Sequence, residues 1–200
     1  MRECLFIWVP KCAGTSIFSV LEQHGCLKLK FMAHARRFKN EGSVTFGHMG
    51  LESLVEGRVV TRAYLSRAFK FGFVRNPWSR MVSLWSYLTK AGIPRKGVGF
   101  ENFLEMVAAG VAPVGPYNRK GLSQTRPASE WLQEDSVDFI GQVERPEDFE
   151  ALGRYLEIQG AFPELNTSSH GDYRQYYIPK TRKIVAELYA DDIQRFEYCF

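Results

Sequence analysis

Cys4-Leu5-Phe6-Ile7-Trp8-Val9 runs without a break into Pro10-Lys11-Cys12-Ala13-Gly14-Thr15-Ser16. The first six residues form a short continuous apolar run, the pattern of a strand buried on both faces. Pro10 and Gly14 end it. Thr15 and Ser16 are helix-capping residue types. Ile17, Val20 and Leu21 then recur at helical spacing, with a stop near Gly25. The unit is strand, tight loop, helix. Such a junction turns backbone N–H groups outward at the positive end of a helix dipole and so binds anions. Lys11 adds a full charge, and Thr15 and Ser16 add hydroxyl donors. Taken alone, the segment reads equally well as a strand-to-helix turn with an exposed lysine.

The same order recurs downstream. Phe69 to Val74 (FKFGFV) predicts a second strand, Asn76 sits where a helix is capped, and Pro77 takes the first helical position. Met81, Leu84, Trp85 and Leu88 form one apolar stripe on that helix. Val137 to Val143 (VDFIGQV) is a third strand candidate, and a helix follows from Pro146 to about Ile158. Residues 28–68 predict short helices. A short helix from Phe100 to about Ala109 lies between Gly-, Pro-, Arg- and Lys-rich loops at 90–99 and 110–127. A terminal helix is expected from Pro179 to about Tyr198. Strands alternating with helices imply an α/β fold, a central parallel sheet flanked by helices. The 200 residues are expected to form a single domain, 1–200.

Several function classes are disfavoured. A Walker A loop needs lysine after its second glycine, whereas Lys11 precedes Gly14. A cysteine phosphatase loop would need arginine six residues after Cys12, and that position is Phe18. Cys12 is therefore expected to pack rather than attack. A net charge of +4 suits an anionic ligand, but no dense basic block argues for nucleic acid. Cys4, Cys12, Cys26 and Cys199 include no C-x-x-C pair and no zinc spacing, so no metal is expected and a reducing setting is the default. No apolar run approaches a membrane span, and Met1-Arg2-Glu3 leads straight into a core strand rather than a leader. A cytoplasmic protein is expected.

At the second junction, Arg75 ends the strand, and Ser83 lies roughly 9–10 Å along the helix. An arginine fork matches phosphate oxygens, so Arg75 and Ser83 read either as a pair that closes on one phosphate or as an arginine paired with a nearby acid and a serine on a solvated helix face, the second being the better reading of Ser83 alone. Pro10-Lys11-Cys12-Ala13-Gly14-Thr15-Ser16 resembles the 5′-phosphosulfate loop of sulfotransferases that use 3′-phosphoadenosine 5′-phosphosulfate (PAPS). Phe73-Val74-Arg75-Asn76-Pro77-Trp78-Ser79-Arg80-Met81-Val82-Ser83 resembles their 3′-phosphate motif, in which an arginine and a serine hold that phosphate. The closer likeness is to the carbohydrate-type branch, sulfotransferase family 2, which includes heparan sulfate 2-O-sulfotransferase and short bacterial relatives. It extends to Asp138-Phe139-Ile140-Gly141 with Glu144, and to Tyr173-Arg174-Gln175-Tyr176-Tyr177 through Phe196.

The resemblance implies P-loop-like topology, PAPS as donor without a metal, and a hydroxyl acceptor, often on a sugar. The expected partner is a small-molecule or glycan acceptor. Lys11 is the candidate for the bridging oxygen. The backbone N–H groups of Cys12, Ala13, Gly14, Thr15 and Ser16, with the last two hydroxyls, would hold the 5′-phosphate, and Arg75 and Ser83 the 3′-phosphate.

For the proton acceptor, His48 in Thr45-Phe46-Gly47-His48-Met49-Gly50 resembles the Gly-His of the carbohydrate branch. His34 is the second choice. His24 reads as a helix C-terminal residue and His170 as a loop residue. Arg95, Lys96, Arg119, Lys120 and Arg126 read either as acceptor contacts or as solvated loop charges. Tyr87 and Trp131 read as core aromatics ahead of the alternative that they stack on adenine or a sugar. Two other readings remain: a nucleotide-dependent phosphotransferase, and a non-catalytic nucleotide-binding module of the same fold.

Overall fold

The computed structural model describes residues 1–30, 32–47, 49–93, 97–111, 123–133, 136–163 and 171–200. Among them, five strands form one sheet: β1 (Cys4–Ile7), β2 (Leu27–Leu29), β3 (Val44–Phe46), β4 (Phe69–Val74) and β5 (Phe139–Gln142). The strand order is β2-β3-β1-β4-β5, and every pairing is parallel. The chain builds to one side of β1 with β2 and β3, then to the other with β4 and β5. A parallel sheet that reverses direction in this way opens a crevice at the carboxyl ends of its strands. This is the P-loop-like order.

Helices α1 (Gly14–Gln23) and α5 (Pro77–Lys90) follow the two central strands β1 and β4. Because Cys4 pairs with Phe69 and Ile7 with Gly72, these strands end side by side and their loops emerge together. β1 is wholly buried. Its ring contacts run through the sheet, with Phe6 stacked on Phe71 at 5.0 Å between centroids. A second apolar cluster lies between α5, α6 (Phe100–Ala108) and α9 (Pro179–Leu188). It holds Met81, Leu84 and Leu88 against Phe103, Leu104 and Val185.

The strand Phe69–Val74, the Asn76 cap and the Pro77 start stand where the sequence put them. Trp131 is fully buried, as expected of a core residue. Two differences have physical causes. Strands β2 and β3 lie within 28–68, or at its edge, where only short helices were expected; the helices observed there are α2 (Met32–Ala35), α3 (Leu51–Glu56) and α4 (Arg62–Arg67). Three residues are too few to show a period of two. The terminal helix is also two helices, α9 and α10 (Ala190–Arg195), that meet at Tyr189. Tyr189 is buried, and its hydroxyl donates to the Thr125 carbonyl oxygen. Asp191 and Asp192 then restart a helix with acids in its first turn. Helices α7 (Ala128–Leu132) and α8 (Pro146–Leu156) flank β5 in sequence.

Candidate functional site

The loop after β1 departs from ordinary backbone geometry. Lys11 and Ala13 are both left-handed, with φ of 67° and 55°. A non-glycine residue costs about 1–2 kcal/mol in that region, and alternation of backbone hand makes an anion-binding concavity. Ala13 occupies the N-cap of α1 with no side-chain cap bond. Thr15 and Ser16, read as caps, instead lie inside the first turn. The amides of Gly14 and Thr15 therefore have no intrahelical acceptor. Gly14 itself answers a packing need: a Cβ there would lie 2.1 Å from Trp8 Nε1.

Lys11 Nζ sits over the Tyr87 ring, 4.4 Å from its centroid. Burial, and then the charge of Arg75, pull the Lys11 ammonium down to about 8. Burial likewise pulls the Arg75 guanidinium below its ordinary value. Arg75 Nε donates to Ser79 Oγ at 2.9 Å, and its NH1 reaches the Lys11 carbonyl oxygen at 3.5 Å. Among the described residues neither cation forms an ion pair. Two partly desolvated cations held together in this way favour an anion between them.

The second junction is built differently. Asn76 Oδ1 accepts from the Trp78 and Ser79 amides, so the start of α5 is already capped. Glu144 Oε1 accepts from the Asn76 amide, and Asn76 Nδ2 donates to the Cys199 carbonyl oxygen. An anion here has to be met by side chains.

Both junctions open on one cleft of about 750 Å³. It is lined by Lys11, Ala13, Gly14, Thr15 and Ser16 from the first junction and by Arg75, Ser79, Ser83 and Tyr87 from the second. Trp8, Phe149, Phe162 and Tyr173 supply an aromatic wall. Seven of the sequence-predicted residues, Lys11, Ala13, Gly14, Thr15, Ser16, Arg75 and Ser83, are thus brought together, and Cys12 is not. Cys12 is buried and does not line the cleft; its amide donates to the Val9 carbonyl oxygen at 3.4 Å. Burial pushes its thiol up to about 12, so it packs rather than reacts.

Residues 3–199 match the sulfotransferase family. The chain belongs to that family. Its fold is shared with mouse sulfotransferase SULT7A1, solved in complex with PAP: 12% identity, 98% of this chain and 85% of that one covered, TM-score 0.61. A sulfotransferase from Alicyclobacillus acidocaldarius is 17% identical over 98% of this chain and 95% of that one, with a TM-score of 0.49. A search of curated proteins finds no match.

For a sulfotransferase, the position of the acceptor-side groups is of interest. His48, His170, Arg95, Lys96, Arg119 and Lys120 lie outside the described residues. Gly47, which precedes His48, follows β3, beside β1, and so leaves the sheet at the same end as the Lys11 loop. His34 is exposed on α2 and is not among the residues lining the cleft. His24 is the C-cap residue of α1, and Arg126 pairs with Glu130 one turn along. Tyr87, read as core, is 46% exposed and faces the cleft. Lining residues that were not anticipated include Ser79, Gln124 and the aromatic wall. Ser79 and Arg80 stand in the quoted motif, and Ser79 lies one turn before Ser83, a spacing that signals one helix face. No group of described His, Cys, Asp or Glu side chains could hold a metal. No described helix is long and apolar enough to cross a membrane.

Proposed function

We propose that this chain transfers a sulfuryl group from PAPS to a hydroxyl acceptor. The observation that carries this reading is the pair of cations, Lys11 and Arg75, set at two strand-to-helix junctions that open on one cleft. PAPS carries phosphates at both ends of its ribose, and the two junctions suit them in different ways. The N-terminal amides of α1 and the Thr15 and Ser16 hydroxyls meet the 5′-phosphate. Arg75 and Ser83, with Ser79 beside them, meet the 3′-phosphate. The complex of SULT7A1 with PAP, in the same fold, supports the choice of nucleotide.

When bound, the donor supplies a sulfuryl group activated by its link to phosphate. Lys11 neutralises charge that develops on the departing 5′-phosphate, in a site where part of the water has been excluded. The fixed loop holds the reacting atoms in line. His48 removes the acceptor proton, a role that rests on its Gly-His context and on β3 ending at the same end of the sheet as β1, where the Lys11 loop begins. A sugar hydroxyl is the acceptor favoured by the resemblance to the carbohydrate-type branch.

Calorimetry with adenosine 3′,5′-bisphosphate (PAP) and with Mg-ATP tests the donor. PAP is expected to bind in the micromolar range or tighter, as enzyme ligands commonly do, and Mg-ATP far more weakly. Tight Mg-ATP binding with none for PAP would replace this reading with a phosphotransferase. PAPS turnover against a panel of hydroxylated acceptors then separates an enzyme from a binding module. In that assay His48→Ala should abolish transfer with near-normal PAP affinity, and His34→Ala should not; the reverse result reassigns the base.

A further inference from the structure

Arg80 lies in the first turns of α5, between the Asn76 cap and Ser83, yet it is only 1% exposed. A guanidinium that deep is ordinarily matched by a carboxylate. Among the described residues Arg80 forms no ion pair. Its hydrogen bonds go to backbone carbonyl oxygens: Nε donates to Pro10 at 3.1 Å, and NH2 donates to Gln124 at 3.0 Å and to Arg126 at 2.9 Å. Its carbon CZ lies 6.0 Å from the Tyr189 ring centroid. Pro10 and Gln124 both line the cleft, whereas Arg80 does not.

The bond to Pro10 acts on the peptide that joins it to Lys11. A trans peptide points its C=O and N–H in opposite directions. Holding the Pro10 oxygen toward α5 therefore fixes the orientation of the Lys11 amide and the start of the left-handed turn at Lys11. That turn is strained, and it persists only when its surroundings over-determine it. Arg75 holds the next carbonyl, that of Lys11, more loosely at 3.5 Å. The two loops tied by Arg80 have no direct backbone hydrogen bond to each other among the described residues. Arg80 is the strut between them.

We infer that Arg80 is a positioning residue for the 5′-phosphate half of the site. It does not touch the donor; it holds the Pro10–Lys11 peptide so that the loop amides and the Lys11 side chain meet the 5′-phosphate. This rests on the donor assignment above. It predicts an asymmetric effect, since the closer bond of Arg75 is to Ser79 and the Asn76 cap bonds are to Trp78 and Ser79, none of them made by the Arg80 side chain.

The test is a set of affinities for PAP, adenosine 3′-monophosphate and adenosine 5′-monophosphate, measured on wild type, Arg80→Lys and Arg80→Gln. The ratio of the 3′-monophosphate and PAP dissociation constants gives the gain from the 5′-phosphate. The 5′-monophosphate ratio gives the gain from the 3′-phosphate. In Arg80→Gln the 5′ gain should fall about tenfold, the scale of one charge-assisted hydrogen bond, while in both variants the 3′ gain stays within about twofold. PAPS turnover should fall about a hundredfold, as for a displaced reacting group. Lysine should recover part of the loss, because it restores one donor without the fork. Equal losses in the two gains, or no loss in either, would overturn the proposal, as would failure of both variants to keep the wild-type circular dichroism. A wild type that gains nothing from either phosphate overturns the donor assignment instead.

Discussion

Two strand-to-helix junctions stand side by side in this sheet, and they treat an incoming anion in opposite ways. After β1, the helix is left uncapped, two residues are left-handed, and a lysine is held where burial and a neighbouring arginine lower its affinity for a proton. After β4, the helix is capped by Asn76 and started by a proline, and no residue from Arg75 to Ser83 has a positive φ. The first junction spends backbone strain to leave amides open. The second satisfies its amides internally and offers side chains. The difference matches the two tasks of a nucleotide with phosphates at both ends. The 5′-phosphate becomes a leaving group and has to be met by fixed dipoles and a movable charge. The 3′-phosphate only has to be recognised, which a fork and hydroxyls do well.

The largest expected effect is at the first junction. Lys11→Ala should lower turnover by about 10²–10³-fold, the usual cost of losing one donor to developing charge. Affinity for PAP should fall much less, because the α1 amides and the second junction remain. A fall in affinity as large as the fall in turnover would make Lys11 a binding residue and erase the division of labour. A pH profile sharpens the point. The Lys11 charge is present below about 8 in the free protein and lost above it. Wild-type kcat/KM should therefore decline through about 8 as pH rises, approaching tenfold per unit, and this limb should vanish in Lys11→Ala. Bound donor supplies negative charge, so the corresponding limb in kcat should move to higher pH.

Local signals explain why the two junctions were legible. The unbroken apolar run of β1, the Asn76-Pro77 start of α5 and the glycine at the head of α1 each act within a few residues. The parallel sheet followed from their repetition. What escaped depends on contacts between distant segments. β2 and β3, three residues each, exist as strands because they pair in register, Leu27 with Val44 and Leu5 with Val44. Nothing local in the sequence marks Arg80 as buried; the packing of α5 turns it toward Pro10 and Gln124. Tyr87 reads as core because its helix is apolar on one side, yet the cleft leaves it under the Lys11 ammonium. Cys12 sits in the middle of the loop motif, and only the turn geometry reveals that its amide is already used by Val9.

Asn76→Ala should give the smallest effect, and it tests the comparison from the other side. The side chain caps α5 through the Trp78 and Ser79 amides and tethers the Cys199 carbonyl. Its loss should cost about 1 kcal/mol, as N-cap replacements typically do, which is about 2–4 °C in Tm for a chain of this size. If the second junction holds its phosphate by side chains, PAP affinity should stay within about twofold, because Arg75 keeps its bond to Ser79 and Ser83 keeps its place on the helix. A drop in PAP affinity comparable to that from removing a phosphate would mean that the cap itself organises the anion site. The two junctions would then differ in sequence but not in kind.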